Sequence, residues 1–550
     1  MKQTYETIDY EWLTRPTGDP FADAGGFAIK EFSKRSPDKN ILELIIEVAD
    51  IYIRRWNAGL HIFFLNSTIT QAAFPTPEKK MGKTKEYFES LINESATYSD
   101  GICRVIGEKT KLFRAGRENS MLTGSGTFLN FHHNLESGIM LSKEALIRFF
   151  FVPIASIMIY DKMGIINSNQ EEVVDFFIRK NVSENIKNSL FRFALRSKYQ
   201  NPATALFAFV DDLLSNVKIA TDETKKLSLT LFHFSNFGAS PIIEIYKVPA
   251  PLFDFYRVCK SIRFVDQWRL FINANYIKYP FYKAYFDKKS NTYFEKVKEI
   301  SGICKTVFEK LEKDESLNFA LCQFGRRTDS KTKEDYIVVD SGELTNWKNG
   351  KLFKEWKKND EKGAKEFTDA TRKIKEDITL TYNADDFCYK WTNLVYRNLI
   401  EGKSILSFIL KWSEKDVLDF KIIRNYQLII KGMNTKTLDL IEKITDYLIE
   451  DESDLKKKKS KLQTSKSHEL RSFLIKQIEK NYKAGNSEPL VTLRDYVSYL
   501  FPDGTNWMEI RDLMLICFYQ KLHEKGILIE IEDEIDNQEE IVIIEDENNE

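Results

Sequence analysis

The chain has 550 residues, 43% hydrophobic and 13% aromatic, with only 13 Pro and 23 Gly, which excludes disordered and fibrous classes and allows about three domains of roughly 150 residues each. Its six cysteines, Cys103, Cys259, Cys304, Cys322, Cys388 and Cys517, include no CxxC pair, so a disulfide framework and a paired-cysteine zinc ribbon are excluded. The formal charge of −1 hides an asymmetry: Glu530 to Glu550 holds 11 acids and no base, leaving residues 1–529 with 81 bases against 71 acids, a balance of +10. Such a body suits a polyanion partner, and equally suits a lysine-rich surface that binds nothing.

In chain order, Gly18-Asp19-Pro20 reads as a helix start, with Asp19 as the cap and Pro20 at a position that loses no hydrogen bond. That helix runs through Phe21, Phe27, Ile29 and Phe32. A second, near Asn40 to Trp56, places Leu42, Ile45, Ile46 and Ala49 at helical spacing, and Leu60 to Leu65 reads as a short buried strand. From Gly101 to Asn134 the glycines 107, 116, 124 and 126 punctuate a loop-rich β region. Ser142 caps the next helix, with Ala145 at its third position and Phe149 to Phe151 leading to Pro153. Leu146 to Tyr160 is the most apolar stretch, about 15 residues where a membrane span needs about 20. With no basic-then-apolar signal at the N-terminus, the expectation is a cytoplasmic protein with no membrane contact.

A mixed α/β middle follows to about Leu380, with a strand at Ile337 to Val339 and a lysine-dense surface from Lys348 to Lys375. From about Asp385 the pattern is helical. Leu438, Ile441 and Leu448 share one face, as do Leu470, Phe473, Leu474 and Ile478. Lys456 to Lys459 reads as an inter-helix hinge, and Ile527–Ile531 with Ile541–Ile544 as a hairpin around Asp536-Asn537. The fold class expected is α+β and predominantly helical: an irregular mixed α/β N-terminal and middle region, then a C-terminal helical bundle. The divisions expected are 1–190, 191–384, 385–526 and an acidic tail at 527–550.

Few motifs carry chemistry. Thr123-Gly124-Ser125-Gly126 is either a plain tight turn or a cradle of backbone N–H groups for phosphate. It lacks the Lys-Ser/Thr of a P-loop. Arg114, Arg117 and Asn119 just before it favour phosphate or base contact, since arginine forks match both. His132-His133 with Cys103 is a poor metal set, and none is expected. Asp385-Asp386 reads as a helix cap, and His61 and His233 as core residues. No serine elbow or cysteine–histidine pair is legible, so no enzyme activity is expected. Aromatics and bases interleave from Tyr256 to Lys289, including Arg257, Arg263, Trp268, Arg269, Tyr276 and Tyr279. This mixture serves single-strand binding or a buried aromatic cluster with snorkelling lysines.

Two loops carry a family resemblance. Thr17-Gly18-Asp19-Pro20-Phe21-Ala22-Asp23, then Arg117, Leu122, Gly124, Ser125, Gly126, Asn130 and Phe131, then Leu141, Ser142, Glu144, Ala145, Leu146 and Pro153 resemble, in order and spacing, the large subunit of type I-B CRISPR surveillance complexes (Cascade). The match covers roughly the first 190 residues. It departs from many members in lacking a CxxC…CxxC zinc element, with only Cys103 between the loops. The resemblance implies a non-catalytic subunit that holds the 5′ end of a guide RNA (crRNA) and recognises a short flanking motif in target double-stranded DNA. Its implied partners are backbone and small subunits and a recruited helicase–nuclease, with no cofactor. The nucleic-acid-binding residues so expected are Arg15, Thr17, Gly18, Arg114, Arg117, Asn119, Thr123, Gly124, Ser125, Gly126 and Asn130. Lys456, Lys457, Lys458 and Lys459 of the basic run complete the set. The competing expectations are a nucleotide-dependent enzyme using Gly124–Gly126 and a protein-only scaffold in phage defence. The resemblance also implies an internal start, for which Met433 is the one methionine between Met163 and Met508. There Gly432 would end one helix and Asn434 or Thr435 cap the next.

Overall fold

The most apolar stretch of the sequence becomes an innermost helix. All 13 residues of Lys143–Ala155 are buried, the charged Lys143, Glu144 and Arg148 among them. The structure, a computed structural model, describes residues 1–56, 58–122, 138–189, 196–216, 226–236, 241–273, 275–277, 326–328, 335–339, 351–359, 361–362, 364–365, 378–381, 388–450, 452–464, 466–486, 488–503, 506–527 and 540–542. They form two compact units. The first comprises Met1–Cys259, Tyr396–Lys403 and Asn425–Gly432, and the second Lys260–Val395, Ser404–Arg424 and Met433–Glu550.

In the first unit, α1 (Pro20–Arg35) begins as its sequence dictates: the Asp19 carboxylate accepts the N–H groups of Phe21 and Ala22 at 3.0 and 2.8 Å. Helix α2 (Ile41–Asp50) opens with a capping box of Asn40 and Glu43 and continues into a π-turn, Ile51–Arg55. The strand expected at Leu60–Leu65 is absent. A 3₁₀ turn, Ala58–Ile62, stands there instead, and Phe63 and Phe64 both donate to the Leu60 carbonyl at 3.0 and 2.9 Å. Local turns thus satisfy this backbone while Phe63 and Phe64 are buried. After α3 (Pro77–Ile92), β1 (Tyr98–Ile102), β2 (Lys109–Ala115) and β3 (Ile139–Ser142) form an antiparallel sheet. This is the β region expected between Gly101 and Asn134.

Ser142 then caps α4 (Lys143–Ala155) by accepting the Ala145 N–H at 3.2 Å. A second antiparallel sheet follows in the order β4 (Ile157–Ile159), β5 (Lys162–Ser168), β6 (Leu229–Ser235) and β7 (Ile242–Val248). Helices α5 (Glu171–Ser189) and α6 (Pro202–Asn216) lie between β5 and β6 in sequence, and α7 (Ala250–Cys259) follows β7. Phe21 ties α1 to this sheet, with ring centroids 4.9 Å from Phe234 and 5.9 Å from Phe232. His233 is a core residue, buried between the Ile159 carbonyl and Glu244 at 3.1 Å each, whereas His61 is only half-buried.

The second unit begins with α8 (Val265–Asn273), β8 (Asn275–Ile277), β9 (Arg326–Thr328), β10 (Asp335–Val339), α9 (Lys351–Asn359), β11 (Ile378–Thr381) and β12 (Cys388–Lys390). The strand expected at Ile337–Val339 lies within β10. Asp385-Asp386 lies outside the described residues, and the nearest described helix, α10 (Trp391–Ile400), starts only after β12. Of the aromatic–basic run, Tyr256 and Trp268 are fully buried, so there the aromatics build core; residues 278–289 lie outside the described set. In the lysine-dense segment Lys357 and Lys358 are exposed while Phe353 is buried.

Further helices among the described residues are α11 (Leu406–Ser413), α12 (Phe420–Asn425), α13 (Thr435–Glu450), α14 (Leu455–Leu462), α15 (Ser467–Lys483) and α16 (Trp507–Glu524). Leu438, Ile441, Leu448, Leu470, Phe473 and Leu474 are buried, and Ile478 half-buried. Helix α16 is central: Gln520 donates to the Ser413 hydroxyl at 3.0 Å and accepts the Leu418 N–H at 2.9 Å. Gly432 has φ +66°, and the Asn434 side chain accepts the Lys436 N–H at 2.8 Å, as the sequence around Met433 suggests. The expected C-terminal hairpin lies largely outside the described residues. In β13 (Glu540–Val542), Ile541 is in register with Tyr276 of β8; of Ile527–Ile531 only Ile527 is described.

Candidate nucleic-acid interface

The first loop is built around a buried arginine. Arg148 has a side chain with no exposed surface, and its guanidinium spends its donors on the N-terminal segment. Nε reaches the Ala22 carbonyl at 2.7 Å, Nη1 the carbonyls of Trp12 and Arg15 at 2.9 and 2.7 Å, and Nη2 the Asp23 carboxylate at 2.9 Å. Burial holds Arg148 below its ordinary range, against a smaller upward pull from the Asp23 and Asp19 carboxylates. Asp23 in turn accepts the Thr17 N–H at 2.7 Å, the Thr17 hydroxyl at 2.8 Å and the Gly18 N–H at 2.9 Å. Gly18 is at φ +87°, where a side chain would be strained. The Arg15 guanidinium lies 3.6 Å from the Trp12 ring centroid and pairs with Glu11 at 3.2 Å. The Thr17 N–H and hydroxyl and the Gly18 N–H are therefore taken by Asp23, and Arg15 offers a partly neutralised cation at the surface.

Arg148 is also where α1 crosses α4. A Cβ on Gly25 would stand 2.0 Å from the Arg148 carbonyl oxygen, and one on Gly26 2.7 Å from its Nη2. Arg148, Gly25 and Gly26 are not among the residues expected from sequence, although signals are present: a lone arginine inside the most apolar stretch, and a glycine pair inside a helix.

The second loop is clasped by Asn119. Its Oδ1 accepts the Gly116 N–H at 2.9 Å, and its Nδ2 donates to the Tyr87 hydroxyl at 2.7 Å and the Arg114 carbonyl at 3.2 Å. Burial pushes the Tyr87 phenol up, keeping it neutral. Arg114 is exposed at the end of β2 and Arg117 half-exposed on the turn. Among the described residues the Arg117 guanidinium carries no hydrogen bond or ion pair, while its backbone carbonyl accepts the Leu65 N–H at 2.9 Å. Leu122, at φ +56°, ends this stretch. Thr123, Gly124, Ser125, Gly126 and Asn130, like His132 and His133, lie outside the described residues. Cys103 is buried and its Sγ accepts the Ser142 N–H at 3.4 Å.

Both loops rest on one support. Arg148 of α4 holds the first, and β3, which leads into α4, pairs with β2 beneath the second. Lys111 beside them is bound to Glu94, whose other oxygen takes buried Lys143 at 2.8 Å. Burial alone would raise the Glu94 carboxyl, but these two lysine hydrogen bonds hold it below the usual glutamate value.

The third candidate set stands on a helix and not on the expected hinge. Lys456–Lys459 is no hinge but part of α14. Lys458 is buried, and its ammonium donates to the Leu448 carbonyl at 3.0 Å in the last turn of α13, where a cation meets the negative helix end. Lys459 lies 5.6 Å from the Tyr519 ring centroid. Lys456 and Lys457 alone of the four are exposed.

Among known families, the model described as the DevT C-terminal domain matches residues 411–550. The matched stretch runs from the end of α11 through α16 to β13 and beyond. No curated protein and no solved structure matches the chain. No helix among the described residues is long and apolar enough to cross a membrane.

Proposed function

We propose that this protein is the non-catalytic large subunit of an RNA-guided DNA surveillance complex, binding the 5′ end of the guide RNA and recognising a short flanking motif in target duplex DNA. The observation that carries the reading is the Asn119-clasped turn. It holds Arg117 half-exposed without an internal counter-ion among the described residues, a few positions before the Gly-Ser-Gly segment that resembles the family's loop. An arginine fork so placed matches a phosphate or the O6/N7 edge of guanine. The +10 balance of residues 1–529 adds a field that attracts polyanions.

In such a complex base pairing reads the target and protein reads the flank. Expression with the neighbouring genes and affinity purification through this chain provides the test. A co-eluting small RNA of uniform 5′ end, and duplex binding that depends on a flanking motif, are the results expected. Recovery with protein partners alone would favour the protein-only scaffold instead.

A further inference from the structure

We infer that Asn236 is a positioning residue for the Arg117 turn, an inference that rests on the nucleic-acid role proposed above. Asn236 is the first residue past β6 and is buried. Its backbone N–H donates to the Ile62 carbonyl at 2.7 Å, and its side-chain amide donates to the Phe63 carbonyl at 2.8 Å. Two residues further on, the Leu65 N–H donates to the Arg117 carbonyl at 2.9 Å, and the Asn236 amide reaches that same carbonyl at 3.5 Å. One asparagine therefore fixes two successive carbonyls of an irregular segment, and that segment fixes the backbone of the exposed arginine.

The arrangement answers a geometric need. Residues 60–65 have no strand partner, so nothing regular sets their position relative to β2. The sheet supplies it through Asn236, at a cost. The Asn236 Oδ1 is buried and has no hydrogen-bond partner among the described residues, an expense in stability accepted where both amide donors are used. A side chain serving stability alone has no reason to leave its acceptor empty while its donors converge on the carbonyls beside Arg117.

The test uses the purified assembly with the full chain, its guide RNA and guide-matched fluorescent duplexes. Wild type, Arg117→Ala, Asn236→Ala and the double variant are compared, each with its Tm. Should Asn236→Ala fail to assemble, Asn236→Asp keeps the shape and the backbone N–H while turning the donor toward Phe63 into an acceptor. Arg117→Ala is expected to weaken binding about tenfold. Asn236→Ala should weaken it severalfold alone and by less than about twofold in the Arg117→Ala background, because a clamp with nothing to hold has no further effect. Val210→Ala, a cavity in the buried face of α6, should lower Tm comparably and leave binding unchanged, which separates positioning from general instability. Additive losses, or Arg117→Ala binding like wild type, would overturn the clamp while leaving RNA-guided binding intact. An assembly that carries no RNA or ignores the duplex overturns the proposed function, and the clamp's role with it.

Discussion

Arg148 shows how far a single buried charge organises its surroundings. Removing its guanidinium takes the ion-pair partner from the Asp23 carboxylate and one donor from each of three backbone carbonyls. Arg148→Met is therefore expected to cost about 3–5 kcal/mol, read as a fall in the urea midpoint. Arg148→Lys should recover only part of it, since a point charge cannot reproduce the planar fork. A loss below about 1 kcal/mol would mean these bonds carry little net stability. The glycines give a sharper pair. Gly25→Ala drives a Cβ into the Arg148 carbonyl and should cost about 1–3 kcal/mol. Gly82→Ala, in α3 with nothing within 4 Å of the new Cβ, should stabilise by up to about 1 kcal/mol. At this scale the sequence revealed the Asp19 cap and the need for flexibility at Gly18. It did not reveal what Asp23 does, because its partner Arg148 lies 125 positions away.

Strands β5, β6 and β7 are stitched by Glu244, which takes the Lys162 ammonium at 2.8 Å and the His233 ring at 3.1 Å. The Lys162 hydrogen bond, opposed by burial and aided by His233, holds this carboxyl below its ordinary value of 4.5. A depressed folded value means the stabilisation is present above 4.5 and is lost as pH falls through the lower folded value. Tm measured across acid pH should thus fall more steeply for wild type than for Glu244→Gln; parallel curves would rule the stitch out. Elements with a clear period were legible, among them α1, α2, α4, α13 and β10. The errors fell on the short apolar run Leu60–Leu65, where periodicity does not separate strand from turn, and on Lys456–Lys459, where a charge run masked a helix whose Lys458 faces inward. The break at Gly432 coincides with the start of a second-unit segment at Met433. If that methionine is an internal start, a C-terminally tagged gene yields a second band of about 14 kDa, scaled from 64.4 kDa for 550 residues. Met433→Leu with a non-start codon should abolish it, and a band that persists contradicts the start.

At the scale of the whole chain the governing quantity is charge. The near-neutral total conceals a basic body and an acidic tail, and basic clusters that release counterions from phosphates give affinity a negative dependence on salt, about −0.9 in log–log slope per phosphate on duplex DNA. The central claim, that this chain contacts target DNA within an RNA-guided assembly, is tested most directly by measuring duplex affinity of the assembly, with and without this subunit, across a series of salt concentrations. Tighter binding and a steeper negative slope when the subunit is present are the expected result. Equal affinities and equal slopes with and without it would contradict the claim.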